Sequence, residues 1–260
     1  MRLYKNTHLR RIIIPILRHL SFDISINNSY NRNVRLHLNT YAHKGYWYHG
    51  GDREQDTMHG FARLIKQSDM VLELGGHIGF ITQYFSALVG DDGEVIVFEP
   101  GLNNLPYIRK NIEHLPNTVL VEAGVGDFDG NATFYEDALS GQNNSLLEEY
   151  DVLKHNKQIS NDSSNVAAKQ ISVVKVDSFL KNKQPPDFIK IDVEGYEYKV
   201  LQGMSNTLKN KPKLMIEITR NQKEIHDLIG SYGYQMLDDK MRPIQPEIFC
   251  QSGFGNYFCV

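Results

Sequence analysis

From Val71 onward, short continuous apolar runs alternate with stretches of helical period. The runs predict strands over Val71–Leu74, Val95–Phe98, Thr118–Ala123, Phe188–Asp192 and Leu214–Ile218. Between and after them the spacing predicts helices over Phe80–Val89, Asn103–His114, Tyr196–Leu208 and Asn221–Gly230. Strands without polar alternation belong in a parallel sheet whose two faces are both covered by helices. Two shorter runs, Tyr234–Leu237 and Gly255–Val260, suit an antiparallel hairpin at the sheet edge. Strand–helix alternation at this density implies an α/β fold, a doubly wound Rossmann-like sheet.

Two regions depart from that rhythm. Asp23–Tyr48 is polar with scattered aromatics and no clean period. It precedes a helix expected over Asp52–Lys66, with Met58, Phe61, Ala62 and Ile65 on one face. The expected division is therefore an N-terminal extension and leading helix, residues 1–66, followed by one α/β domain over 67–260. The second region, Asp137–Gln170, is rich in Asn, Ser, Gln, Glu and Lys, between strand-like Ala132–Tyr135 and Ile171–Val176. A hairpin with a long excursion is expected there. Its position at the rim where open α/β sheets bind ligands makes it a lid or substrate-selecting segment.

Composition narrows the function classes. The 260 residues make one large domain, with or without an extension, and 41% hydrophobic content supports a sizeable core. A net charge of −3 argues against nucleic acid as a partner. Cys250 and Cys259 form neither a C-x-x-C pair nor a zinc spacing, so reduced core thiols in a cytoplasmic protein are expected. No apolar run is long enough to span a bilayer. The first twenty residues carry Arg2, Lys5, Arg10, Arg11 and Arg18, with no acid before Asp23 and an apolar Ile12–Leu17 broken by Pro15. An ordinary basic arm or helix and peripheral docking to an acidic membrane surface both fit this pattern. His43, His49 and His59 surround the aromatic Gly45–Tyr48 without ligand spacing. No metal is expected, and the aromatics could pack or stack on a sugar ring.

The chemistry concentrates in VLELGGHIGF (Val71–Phe80) and VIVFEP (Val95–Pro100). The first run brings Glu73 and then Gly75, Gly76 and Gly79; the second ends on Glu99. This is the opening β-α-β of a nucleotide-binding sheet, with the second-strand acid placed for a ribose diol. A dinucleotide turn needs glycines at its first, third and sixth positions. Counting from Gly75 those positions hold Gly, His77 and Phe80, and from Gly76 they hold Gly, Ile78 and Ile81. Neither frame fits NAD or FAD. Further along, Asp192 and Glu194 end the Phe188 strand, where a carboxylate could accept a proton or cap the following helix. Asp127 opens a D-x-D-G that also serves as an ordinary turn signal.

Taken in order, ELGGHIGF, VFEPGLNN, VEAGVGDFDG, GQNNSLL, VVKVDSFL, FIKIDVEGYEYKVLQG and LMIEI resemble the FkbM family of S-adenosylmethionine (SAM)-dependent methyltransferases, over about Val71 to Ile218. Glu73 stands where the family usually has Asp, and His77 where it usually has Asn. The resemblance implies a class I methyltransferase sheet and O-methylation of a sugar, glycan or other hydroxylated metabolite. Methylation of nitrogen on a peptide or nucleic-acid target, or a non-catalytic scaffold, are the alternatives. SAM would lie across the C-terminal sheet edge, with Gly75, Gly76, His77, Gly79 and Phe80 at its methionine part and Glu99 on its ribose. Glu73, Pro100, Asn104, Gly124, Val125, Asp127 and Asp192 complete the expected cofactor set. Asp192 and Glu194 are the expected catalytic pair; Asn144, Ser145 and Glu217 are expected at the acceptor, with Lys190 a weaker candidate.

Overall fold

The computed structural model describes residues 19–49, 54–137, 141–147, 166–245, 249 and 255–260. Along the chain, β1 (Asp23–Asn27), β2 (Arg35–Asn39), α1 (Lys44–His49) and α2 (Gln55–Leu64) lead into β3 (Met70–Leu74). Then come α3 (Phe80–Val89), β4 (Glu94–Phe98), α4 (Leu105–Ile112), β5 (Thr118–Val121), β6 (Gly124–Val125), β7 (Gly130–Asp137), β8 (Val166–Val174) and α5 (Val176–Phe179). The chain continues through β9 (Phe188–Ile191), α6 (Glu197–Gln202), α7 (Ser205–Lys209), β10 (Lys213–Ile218), α8 (Gln222–Ser231), β11 (Met236–Leu237) and β12 (Gly255–Cys259). Among the described residues, no helix is long and apolar enough to cross a membrane.

The central sheet has the order β11-β12-β10-β9-β3-β4-β5. Its β10-β9-β3-β4-β5 portion is parallel, and β12 runs antiparallel to both β10 and β11. The doubly wound sheet expected from the apolar runs is present. So is the C-terminal antiparallel pair, with the last strand, β12, inserted inside β11. Successive strands build outward from β3 on one side and from β9 on the other, so the order reverses between these two. That is where such sheets open a crevice at their C-terminal edge.

Side chains alternate between two cores, as strand geometry requires. Leu72, Leu74, Ile189, Ile191 and Ile216 pack with Val200, Leu201, Leu208, Ile225 and Ile229 from α6, α7 and α8. Val71, Val95 and Phe188 pack on the other face with Phe61 and Phe85 from α2 and α3. Phe61 meets Phe85, Phe188 and Phe258 edge-on at 4.8–5.9 Å between ring centroids. The two central strands each carry one charge in a fully buried run, Glu73 in β3 and Lys190 in β9. These residues lie opposite each other in the β3–β9 register, so each charge is buried beside its partner.

Several boundaries differ from expectation. Asp23–Tyr48, which has no clean period, contains the β1–β2 hairpin and α1. Its strands are short and half-exposed, which weakens any period-two signal, yet Leu36 and Leu38 are buried in the same core as Val71 and Phe85. The hairpin is also latched by Asn111, whose side chain accepts from the His37 N–H (2.6 Å) and donates to its carbonyl (2.9 Å). The single helix expected over Tyr196–Leu208 is two, α6 and α7, broken at Gly203–Met204. A Cβ at Gly203 would sit 1.9 Å from the Gly126 carbonyl oxygen, so this close approach admits only glycine. The hairpin around the long excursion is present, and β7 and β8 extend through Asp137 and down to Val166, so both ends of Asp137–Gln170 are strand. Residues 141–147 return against it through Tyr135 and Ser145, whose backbones exchange hydrogen bonds of 2.8 and 3.0 Å. The rest of the expected lid lies outside the described residues, as do Cys250 and the basic residues from Arg2 to Arg18. Cys259 is a free, buried thiol whose pKa burial pushes up to about 12.

Candidate active site

The β3–β9 crevice holds a cavity of about 250 Å³. Its floor begins where β3 ends. Gly75 turns at φ +95°, and a Cβ there would lie 1.8 Å from the Asp192 carbonyl oxygen at the end of β9. Only glycine permits the two strand ends to approach so closely. The amides of Gly75 and Gly76 both donate to the Phe98 carbonyl at 3.0 Å, which ties this turn to β4. His77 follows at φ +48°, a left-handed conformation that Asn and His tolerate better than most residues. This accounts for His77 standing where the resembled family usually has Asn.

Glu99 is almost fully buried at the end of β4. Its Oε2 accepts from the His77 N–H (2.8 Å), and its Oε1 accepts from the Gly101 N–H (2.8 Å) and the Asn104 amide (3.1 Å). A carboxylate has about four acceptor positions, so one remains, on Oε2. Burial raises the Glu99 pKa to about 7 against these hydrogen bonds. Asn104 also donates to the Gly141 carbonyl (3.0 Å), joining this wall to the 141–147 segment.

The opposite side of the floor is a charge cluster. Lys190, 1% exposed, donates to Asp192 Oδ2 at 2.9 Å and to the Gly75 carbonyl at 3.0 Å, and its Nζ lies 3.8 Å from Glu73 Oε1. Burial alone would lower the lysine pKa, but Asp192 and Glu73 outweigh it and raise it. Glu73 also accepts from the Thr82 hydroxyl (2.6 Å); burial lifts its pKa to about 7. Carboxylate oxygens of Asp192, Glu194 and Glu217 lie within 4.8 Å of one another. Beside Asp192, Glu217 is pushed well above the usual carboxylate range, chiefly by that neighbouring charge and then by burial. Burial raises Asp192, but the Lys190 charge together with hydrogen bonds from Glu217 and Lys190 offsets this and holds it below its ordinary value. At neutral pH the pair therefore carries one proton, on Glu217.

The helix-cap reading of Asp192 and Glu194 does not hold. The N-cap of α6 is Tyr196, without a side-chain cap bond, and the Gly195 amide is taken by Glu197 (2.8 Å). The chain is not extended through Glu194, which sits at φ +52°, yet its carboxylate still converges on that of Asp192.

Of the expected residues, Gly75, His77, Glu99, Pro100, Asn104, Gly124, Val125, Asn144, Asp192, Glu194 and Glu217 line the cavity. Gly76 instead faces Val97 and Ile108, and Gly79 faces Ile108 and Ile112, so both serve helix packing. Phe80 is buried in the core, and Glu73 reaches the site only through Lys190. Asp127 lies off the cavity wall in an ion pair with Lys199 (2.9 Å), and nearby Asp129 accepts from the Lys175 N–H (2.8 Å) and the Ser178 hydroxyl (2.7 Å), which ties this turn to the start of α5. Asn144 accepts from the Asp137 amide (2.7 Å) and donates to Asn103 (2.8 Å), and Ser145 donates to the Glu194 carbonyl (2.7 Å). The two residues clasp the 141–147 segment to the site. Tyr46, from the aromatic Gly45–Tyr48 segment, lines the cavity and shares a 2.9 Å hydrogen bond with His77 Nδ1. Its neighbour His43 is held neutral, its pKa lowered to about 4 by burial. The one available signal for Lys190 was a lysine inside an otherwise apolar strand.

The profile of the methyltransferase FkbM domain matches residues 73–236, well over half the chain. The chain belongs to the FkbM methyltransferase family. This makes its domain a SAM-dependent methyltransferase domain. The FkbM chain is similar to the hexuronic acid methyltransferase AglP of Haloferax volcanii, with 22% identity over 168 residues, 64% of this chain and 62% of that protein. It thus spans under two thirds of that relative's length. It is also similar to the crystal structure of methyltransferase FkbM from Methylobacillus flagellatus KT (17% identity, 74% of this chain and 44% of that one, TM-score 0.48). Aeropyrum pernix fibrillarin, solved with natively bound SAM, aligns at 12% identity over 76% of this chain and 68% of its own, TM-score 0.43.

Proposed function

We propose that this protein methylates a hydroxyl of a sugar, a glycan or another hydroxylated metabolite, with Asp192 as the proton acceptor. The observation that carries the reading is the placement of Asp192: paired with Lys190 at 2.9 Å and set in the cavity wall at the β3–β9 crevice. The site residues fit SAM. Glu99 offers an open acceptor position for a ribose hydroxyl, and the Gly75 turn brings backbone close to the cavity. Val125, Phe134 and Leu146 form an apolar wall suited to a flat base, and the Asp192–Glu194–Glu217 set complements a sulfonium cation.

When bound, SAM supplies an electrophilic methyl group. A sugar hydroxyl is a weak nucleophile at neutral pH, so its proton must leave as the new oxygen–carbon bond forms. Asp192 accepts that proton on its carboxylate. Lys190 keeps Asp192 ionised beforehand, and it fixes the carboxylate relative to the glycine turn through its bond to the Gly75 carbonyl. Glu217, already protonated, avoids a second negative charge against Asp192 and can donate to it. Glu194, on the same wall, can accept from a further acceptor hydroxyl and so orient the ring. AglP, named for hexuronic acid methylation, supports a sugar acceptor. The buried free thiol of Cys259 supports work in a reducing compartment, the cytoplasm.

Isotopically methyl-labelled SAM, incubated with the protein and with glycan and lipid extracts, tests the reading. An alkali-stable methyl ether on a sugar is the expected product. Label found only on nitrogen would overturn it.

A further inference from the structure

The FkbM profile begins at Glu73, so β1, β2 and α1 lie outside the matched part of the chain. Their contacts nevertheless converge on the turn that opens the cavity. Asn28, just after β1, donates to the Phe80 carbonyl (3.0 Å) and to Gln83 Oε1 (2.9 Å). Gln83 in turn donates to the Arg35 carbonyl at the start of β2 (3.0 Å) and to the Asn111 carbonyl (2.7 Å). The Asn111 side chain, which latches the hairpin at His37, also donates to the Ile78 carbonyl (2.7 Å). Asn28, Gln83 and Asn111 are buried, so losing any of these partners would leave a polar group unsatisfied away from water.

Tyr46 carries this grip into the cavity wall. Its ring lies nearly parallel to that of His77 (5.8 Å between centroids, 19° between planes) and packs against Phe80 at 5.0 Å. Its hydroxyl shares the 2.9 Å hydrogen bond with His77 Nδ1, and buried His43 meets the same imidazole edge-on at 5.4 Å. His77 needs such support. At φ +48° it holds a conformation that an L residue keeps only where its surroundings impose it. Its N–H engages Glu99 Oε2 at 2.8 Å, the carboxylate oxygen with the remaining acceptor position. We propose that Tyr46 is a positioning residue for SAM. By fixing the His77 ring it holds the turn in its left-handed course and aims the Glu99 carboxylate at the cofactor ribose. The β1–β2–α1 unit is thereby part of the cofactor site. Asn, the usual family residue at this position, visits the left-handed region more readily because its short amide can bond locally. His77 reaches the same conformation with a tyrosine holding it.

Calorimetric titration of the full chain with SAM tests this on the wild type, Tyr46→Phe, His77→Asn and the double variant. Tyr46→Phe keeps the ring packing against Phe80 and removes one oxygen. It should weaken SAM binding about three- to tenfold, the worth of one buried hydrogen bond. Its thermal unfolding should stay cooperative and move by no more than about 4 °C. His77→Asn should bind SAM no more than about threefold more weakly than the wild type, since asparagine holds the turn without a clamp. On that background Tyr46→Phe should cost less than about twofold, because the ring it acts through is gone. A tyrosine with a merely structural role would cost the same on both backgrounds. Unchanged SAM affinity in Tyr46→Phe overturns the proposal. So do equal losses on the two backgrounds, which would put Tyr46 itself against the cofactor or assign it to general stability. Loss of binding in His77→Asn alone would make the imidazole a direct cofactor contact, and loss of cooperative unfolding in Tyr46→Phe would make the tyrosine a folding residue. Either result also overturns it.

Discussion

Replacing Lys190 by methionine keeps the length of the side chain and removes the ammonium of the buried cluster in the β3–β9 crevice. Glu73 and Asp192 lose their counter-charge, and the Gly75 carbonyl loses a donor. Breaking a buried ion pair by deleting one partner costs about 3–5 kcal/mol, because the other charge stays buried. The pH dependence follows from Glu73. Its folded pKa, about 7, lies above its ordinary value of 4.5. Its proton therefore stabilises the fold below about pH 4.5, and that stability, about 3 kcal/mol, is lost as pH rises through about 7. Without Lys190 the folded pKa rises further, so the loss continues to grow above neutrality. Urea unfolding of the wild type and of Lys190→Met near pH 5, 7 and 8.5 measures this. The gap should be about 3–5 kcal/mol at neutral pH, smaller in acid and larger in alkali. Adding Glu73→Gln to Lys190→Met should recover a large part of it. A neutral-pH loss under about 1 kcal/mol, within the range of ordinary surface changes, would refute the argument. So would a pH-independent gap or the absence of rescue by Glu73→Gln.

Three further outcomes are expected. Asp192→Asn should lower kcat about 10²–10⁴-fold with folding and SAM affinity largely kept, since it keeps the shape but removes the proton acceptor; lost SAM affinity with near-normal kcat would instead make Asp192 a cofactor ligand. Glu99→Ala should weaken SAM binding by about 1–3 kcal/mol in calorimetry, and unchanged affinity would remove Glu99 from the site. Gly75→Ala should abolish SAM binding and destabilise the fold by more than the roughly 1–3 kcal/mol of a strained backbone, because its Cβ would meet the Asp192 carbonyl at 1.8 Å; a normally stable variant that binds SAM would show that the two strand ends can separate.

Much of the molecule is written in local sequence. The central parallel strands are continuous apolar runs, and a run of that kind is stable only where helices cover both faces, so the doubly wound sheet follows from the period alone. The glycine turn after β3, the acid ending β4 and the acid that follows β9 are likewise local, so Glu99 and Asp192 are legible as candidates from the sequence. Other features depend on residues far apart in the chain. Nothing local says that Glu73 and Lys190 lie opposite one another, because register between β3 and β9 is set across an intervening span of more than a hundred residues. The same holds for Glu217, whose proton depends on Asp192 arriving beside it from another strand. Gly76 and Gly79 look like ligand glycines in the sequence, and only the packing of α4 against the turn shows that they serve the helix. Asn144 and Ser145 look like acceptor contacts, and only the fold reveals the partners that engage them. The short β1–β2 strands, half in and half out of the core, carry too little periodicity to be read without the surface they cover. Periodicity and backbone conformation are properties of neighbours in sequence, whereas charge pairing, burial and close backbone approach are properties of neighbours in space, which only the folded chain brings together.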